Sequence, residues 1–285
     1  MIRKEADEET DYVKEMCKNI GVECFIKRAD VVKIAKEKKH GTEEEGRIIR
    51  YIFFDEVLQK TNSNKIATAH NLNDKVETII LNMLRGSAIN GLKGIEAIRD
   101  NKFIRPLIET NREDIEKYCL ENNLKPRIDK SNSENIYARN KVRNIVIPYI
   151  KKEFNPNIIK TINRLSEIST EENEYLERKV EEKYNEIFLG FDENKEQNEH
   201  TSHLTLHTSI ILDLKKFNSQ DLVIKRRLIL YTINKALGTT EGIEKVNIDD
   251  IIKMCEKNIG NKYLMPTKKI KIFIKKGKIF FIPLT

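Results

Sequence analysis

The chain has 285 residues, a formal net charge of +7, and 39% hydrophobic against 34% charged residues, which is enough apolar material for about two domains of roughly 150 residues each. No apolar run approaches the ~20 residues that span a bilayer, and the acids Glu5, Asp7, Glu8, Glu9 and Asp11 at the start do not read as a signal peptide. Cys17, Cys24, Cys119 and Cys255 form no Cys-x-x-Cys pair, which argues against a zinc or iron–sulfur site and a disulfide scaffold and for a reduced, cytoplasmic protein.

In chain order, Val13, Met16, Cys17 and Ile20 predict a helix over 6–20, stopped by Gly21, followed by a short strand at 22–27. Thr42 with Glu45 predicts a capping box opening a helix whose apolar face is Ile48, Ile49, Ile52, Phe53 and Val57. A strand at 65–69 leads into a helix over 73–85, with Val76, Ile79, Ile80, Met83 and Leu84 on its buried face and Gly86 closing it. Phe103–Ile104 reads as a further extended piece, and Asn111 with Asp114 as the cap of a helix bearing Ile115, Tyr118 and Cys119. Strands alternating with helices predict a parallel α/β sheet over residues 1–155. A charged helical connector and polar linker follow at 156–203. A smaller unit, 204–285, carries helices near 219–237 and 247–257 and a basic β-hairpin.

All the excess positive charge lies in that hairpin region: residues 262–285 hold seven lysines and no acid. Period-two alternation broken by Gly277 predicts one packed apolar face and one lysine comb, including Lys268, Lys269, Lys271, Lys275 and Lys276. Such a comb suits phosphate binding, although lysines on an edge hairpin also serve to prevent aggregation.

Three stretches carry candidate chemistry. His70, Asp74 and Glu77 stand where a strand passes into a helix, spaced to share one helix face. In open α/β sheets that end of the strand is where ligands bind. Two carboxylates and an imidazole there suit an ammonium group, a divalent cation or a proton transfer; a solvated first turn is the plain alternative. The second stretch, Arg85–Ile95, holds three glycines within nine residues, without the spacing of a phosphate-cradling loop. The third joins a turn at Asp129, Ser131 and Asn132 to Arg139 and Arg143, four apart on one helix face. Those arginines form a fork for phosphates, or surface partners for nearby acids.

Together these stretches resemble the tRNA(Ile)-lysidine synthetase family of PP-loop ATP pyrophosphatases. The family's ordered motifs stand here as Thr68–Thr78, Arg85–Leu92, Arg105–Leu107, Asp129–Asn132 and Arg139–Pro148, and Arg47 with Arg50-Tyr51 resembles its Arg-x-x-Arg-Tyr helix. The similarity is dense to about residue 165 and loose beyond. It implies an adenine nucleotide alpha hydrolase-like α/β domain followed by a smaller helical or α+β tRNA-binding domain. It implies ATP with Mg2+, free lysine and an isoleucine tRNA bearing a CAU anticodon as reactants, with no resident metal and with room for a homodimer. Lysine would be joined to C2 of the wobble cytidine after that base is adenylated. His70, Asp74 and Glu77 would be catalytic. Arg50, Arg139, Arg143, Asp129, Asn132 and the hairpin lysines would contact substrate or tRNA.

The chain departs from the family in one large respect. It does not contain the Ser-Gly-Gly-x-Asp-Ser turn that grips pyrophosphate at a helix N-terminus. Its first residues resemble the exit of the family's second strand, so an N-terminally truncated domain with exposed apolar faces, inactive by itself, is expected. Three rivals remain at this level: a non-catalytic tRNA-binding protein, a PP-loop tRNA thiolation enzyme, and a metal hydrolase built on His70, Asp74 and Glu77. The last lacks the further His or Cys ligands typical of zinc.

Overall fold

Leu72, Val76, Ile79 and Ile80 recur at helical spacing, and burying that stripe organises the first of two units, Met1–Thr170. The computed structural model describes residues 4–127, 134–191, 209–260 and 262–284. The unit runs α1 (Lys4–Asn19), α2 (Val31–Lys38), α3 (Thr42–Lys60), β1 (Ile66–Ala67), α4 (Leu72–Leu84), α5 (Ile89–Leu92), β2 (Ile98–Arg99), β3 (Phe103–Ile104), α6 (Arg112–Glu121), α7 (Ala138–Lys141) and α8 (Ile147–Glu153). A five-residue π segment, Val142–Val146, joins α7 to α8. The apolar stripe of α4 packs on Val142 and Ile147, and on Ile159 and Ile162 from the start of α9 (Ile158–Ile187).

The sheet is smaller and less uniform than the alternating pattern predicts. Its order is β1-β3-β2, with β1 parallel to β3 and β2 antiparallel to it, each strand two residues long. An α/β unit with an open sheet therefore stands, but among the described residues only one of its strand pairings is parallel. Residues 22–27 form no strand: Phe25 lies under the Lys60 ammonium, and Lys27 reaches Glu56 at 2.5 Å, so the segment packs on α3 rather than joining a ladder. The capping box at Thr42 is also absent. Gly41 is the N-cap, and Glu45 turns inward to accept bonds from Lys38 Nζ and His40 Nδ1, both at 2.7 Å. In this unit a capping box forms instead at α4, between Asn71 and Asp74. Met83 and Leu84 are exposed, because α4 outruns its packing partners, and Val13, Met16, Ile20 and Ile52 are exposed as well.

Two of the three glycines of the second motif serve packing. Gly94, at φ +71°, lies against Ile79 and Lys75, and Gly91 against Ser87, while Asn82 Nδ2 donates to the Gly91 carbonyl at 2.8 Å. A side chain at either glycine would push α5 and the following loop away from α4.

The second unit, Glu171–Thr285, contains the rest of α9, then β4 (Phe188–Phe191), β5 (Ile210–Asp213), α10 (Leu214–Asn218), α11 (Leu222–Leu237), α12 (Lys245–Glu256), β6 (Tyr263–Thr267), β7 (Ile270–Lys275) and β8 (Lys278–Pro283). Its antiparallel sheet has the order β4-β5-β8-β7-β6. Ile270, Ile272, Ile279 and Phe281 are fully buried on one face, with Leu228, Ile229 and Ile251 of the helices. Each such side chain contributes about 1.5–3 kcal/mol on leaving water.

The hairpin exists, turning at Lys276 and Gly277 with both φ positive, as a two-residue loop demands. It is not an edge, since β7 and β8 are flanked by β6 and β5. Nor is its outer face a comb of lysines. Phe273 and Phe280 stack there at 4.9 Å, and Lys271 lies over the Tyr263 ring at 4.4 Å. Lys268 and Lys269 sit in the β6–β7 turn, whereas Lys275 and Lys276 mark the opposite end of β7.

Candidate functional site

A cleft of about 470 Å³ opens in the first unit beyond the end of β1. The chain leaves β1 with the Thr68 amide still bonded to the Ile104 carbonyl at 3.0 Å. It presents His70 just before the Asn71 N-cap of α4, and His70 Nδ1 lies 3.0 Å from Thr68 Oγ1. The cleft is lined by His70, by Thr78, Asn82 and Arg85 along α4, by Arg47 and Tyr51 of α3, and by Arg105, Tyr137 and Arg139. Glu43 is the acid on that lining. Four guanidinium groups stand against one carboxylate on that lining, and the three not paired with Asp74 and Glu77, those of Arg47, Arg85 and Arg105, leave an excess of positive charge suited to an anion.

Arg105 is placed most deeply, with 7% exposure. One of its Nη atoms donates to the Glu96 carbonyl, but Nε is buried without a hydrogen-bond partner. Burial pulls its pKa down, with Arg99 adding repulsion. Arg47 and Arg99 cover the Tyr51 ring at 4.9 and 5.0 Å, so cations converge on this end of the cleft. Burial also holds the His70 pKa below its ordinary value. Asp74 opposes that shift, while Arg105, Arg139 and Arg47 reinforce it. That shift favours the neutral imidazole, which carries a donor and an acceptor.

Asp74 and Glu77 do not present bare carboxylates. Arg143 grips Glu77 through Nε at 2.6 Å and Nη2 at 2.8 Å, and reaches Asp74 Oδ1 at 3.1 Å. Arg139 adds Nε to Glu77 Oε2 at 2.8 Å, and Nη2 to Asp74 Oδ1 at 3.3 Å and to the Asp74 carbonyl at 3.1 Å. Asp74 Oδ2 is occupied by the Asn71 amide at 3.1 Å. Side-chain exposure falls from 38% at Arg139 through 23% at Arg143 to 2% at Glu77. The hydrogen bonds to Glu77 raise the Arg143 pKa further.

The sequence-predicted residues thus divide. His70 and Arg139 line the cleft, and Asp74, Glu77 and Arg143 form the ion cluster beside it. Arg50 is exposed and absent from the lining. Asp129 and Asn132 lie outside the described residues. The hairpin lysines belong to the second unit. Reasoning from sequence passed over Tyr51, Arg85 and Arg105 as site residues, although each stood inside a quoted motif. Nothing in the sequence signalled Tyr137.

The lining suits phosphate groups. It does not suit a magnesium ion held by protein carboxylates, because Glu43 is the single carboxylate on the lining and Asp74 and Glu77 beside it are already paired with guanidinium groups. No group of three or more His, Cys, Asp or Glu able to hold a metal occurs among the described residues. Cys255 is buried, its thiol pushed up to about 12. Among the described residues no helix is long and apolar enough to cross a membrane.

A family model described as the PP-loop domain matches residues 1–150. The tRNA(Ile)-lysidine synthase of Clostridium acetobutylicum is 40% identical over 277 residues, covering 96% of this chain and 56% of that protein. The synthase of Clostridioides difficile is 36% identical over 275 residues, with the same coverages. That of Bacillus thuringiensis is 29% identical over 254 residues, covering 87% and 50%. The chain spans about half the length of the curated relatives it matches. Among solved structures, the U34-tRNA thiolase NcsA from Methanococcus maripaludis with its [4Fe-4S] cluster aligns with 55% of this chain and 56% of its own, at 20% identity and a TM-score of 0.41.

Proposed function

Because this chain belongs to the PP-loop domain family and, within it, to the tRNA(Ile)-lysidine synthases, we propose that it serves the ATP-dependent ligation of free lysine to C2 of the wobble cytidine in an isoleucine tRNA. ATP supplies the activation, converting the C2 oxygen into an adenylate that lysine's amine displaces. The observation that carries the reading is the convergence of Arg47, Arg85, Arg105 and Arg139 with the His70 imidazole on one cleft. The arginines bind the phosphate-bearing reactants and offset charge that develops on the departing oxygens. Arg105, with an unpaired buried Nε, is the donor most in need of such a partner. His70 orients the base or the attacking amine through whichever ring nitrogen Thr68 leaves available. Asp74 and Glu77 receive the lysine ammonium and take its proton before attack. Tyr51 and Tyr137 flank the space that an unstacked base would enter.

The glycine-rich pyrophosphate turn is not among these 285 residues. A donor set of that kind contributes several kcal/mol of leaving-group stabilisation. The 285-residue chain by itself is therefore expected to hold tRNA without making lysidine. Two assays on this chain test the proposal: incorporation of labelled lysine into isoleucine tRNA with ATP, and filter binding of the same tRNA across a salt series. The expected result is salt-dependent retention of tRNA without incorporation. Robust turnover would remove the requirement for the missing turn, and failure to retain tRNA would overturn the functional reading.

A further inference from the structure

Asp74 and Glu77 carry two negative charges, and Arg139 and Arg143 carry two positive ones, so the cluster is neutral as it stands. A substrate ammonium cannot enter without displacing one of them. The two arginines are held unequally. Arg143 is seated by a bidentate bond to Glu77, lies in the π segment next to buried Val142, and is the less exposed of the pair. Arg139 makes a single short bond to Glu77, one at 3.1 Å to the Asp74 carbonyl and a long one to Asp74 Oδ1, sits on the four-residue α7 beside exposed Tyr137, and also lines the cleft.

We infer that Arg139 is a displaceable internal cation, occupying the place of the substrate ammonium until an anion in the cleft draws it away. A phosphate group among Arg47, Arg85 and Arg105 offers the Arg139 guanidinium a second partner on the cleft side. Once Arg139 turns to that anion, Asp74, Glu77 and Arg143 are left with a net charge of −1. The vacated positions beside Glu77 Oε2 and Asp74 Oδ1 then accept an ammonium. The exchange is one cation for another, so the buried carboxylates are never left unpaired, which would be costly. Anion binding and amine binding become coupled, each strengthening the other. The identity of the amine as lysine rests on the functional reading above; the competition for the two carboxylates rests on the geometry alone.

Calorimetric titration of L-lysine into the 285-residue chain, with and without inorganic pyrophosphate as the anion probe, tests this. The wild-type chain is expected to bind lysine about tenfold or more tightly when pyrophosphate is present. Arg139→Gln is expected to bind lysine without pyrophosphate and to gain nothing from adding it, with circular dichroism verifying the fold. Arg139→Lys, which keeps the charge, should retain part of the pyrophosphate dependence. Equal lysine affinity of the wild-type chain with and without pyrophosphate overturns the inference while leaving the tRNA assays to judge the function. Arg139→Gln behaving like wild type overturns it as well. Absence of lysine binding in every case removes both the displacement and the ammonium role of Asp74 and Glu77.

Discussion

Arg143 meets Glu77 side-on, with Nε on one carboxylate oxygen at 2.6 Å and Nη2 on the other at 2.8 Å, joining the start of α4 to a segment 66 residues away. Glu77 is 2% exposed on its side chain, so this is a buried anchor rather than a surface pair. Removing one partner from a fully buried pair costs about 3–5 kcal/mol, and the partial exposure of both arginines lowers that figure. Glu77→Gln should therefore destabilise the first unit by about 2–3 kcal/mol. Urea denaturation followed by circular dichroism reads the change, and a variant within 0.5 kcal/mol of wild type would show the cluster to be ornamental.

His70 should titrate below its ordinary value of 6.5, because burial and the cleft arginines disfavour the imidazolium. A histidine whose pKa is lower folded than unfolded contributes stability in full above the unfolded pKa. That contribution is lost as pH falls toward the folded value. Stability should thus decline below about pH 6.5 with a component that His70→Gln abolishes. By NMR, Arg139→Gln should raise the His70 midpoint and Asp74→Asn should lower it. Opposite movements would contradict the electrostatic picture of the cleft.

Gly94→Ala combines a left-handed φ of +71° with a Cβ that would meet Ile79 Cγ1 at 2.8 Å and Lys75 Cγ at 3.1 Å. Strain and overpacking together should cost about 3 kcal/mol. Gly86→Ala, at φ +79° but with nothing within 4 Å, should cost only about 1 kcal/mol. Thermal or urea denaturation of the two variants side by side separates backbone strain from crowding, and equal losses would refute the packing account.

The hairpin lysines fall into two groups at opposite ends of β7, so they can be tested apart. Replacing Lys275 and Lys276 with Ala, or Lys268 and Lys269, should leave the fold intact, since these side chains project from turns and strand ends. If the turn touches phosphates, each lysine removed reduces the slope of log affinity for tRNA against log salt by about 1. A slope unchanged in both double variants would assign the lysines to solubility.

Glu45, held below the usual carboxylate range first by Lys38 and then by His40, supplies an acid-sensitive joint between α2 and α3. Its contribution is present above the unfolded carboxylate pKa and disappears as pH falls through the lower folded value. Glu45→Gln should flatten the acid limb of the stability profile. An unaltered acid limb would show that Glu45 takes no part in it.

Much of this was legible in the chain itself. The stripe Val76, Ile79 and Ile80 marked the buried face of α4, because helical periodicity is a local property and these residues sit where it predicts. The Lys276–Gly277 reversal was equally readable, since two-residue turns depend on their own backbone conformations. Gly277 broke the period where the strands part. Legibility stopped where partners decide. Thr42 and Glu45 had the spacing of a cap, yet Lys38 and His40 offered Glu45 a better bond. Residues 22–27 had the composition of a strand but joined no ladder.

The family, the α4 junction with its imidazole and two acids, and the lysine-rich final hairpin could be read from the chain, because residue type and short spacing carry them. It took folding to show that both acids are neutralised by arginines from beyond residue 137, that Arg47 and Tyr51 rather than Arg50 face the cleft, and that the hairpin is interior to its sheet. Charge pairing and strand neighbours depend on which distant segments meet. Packing sets that, and no local spacing records it.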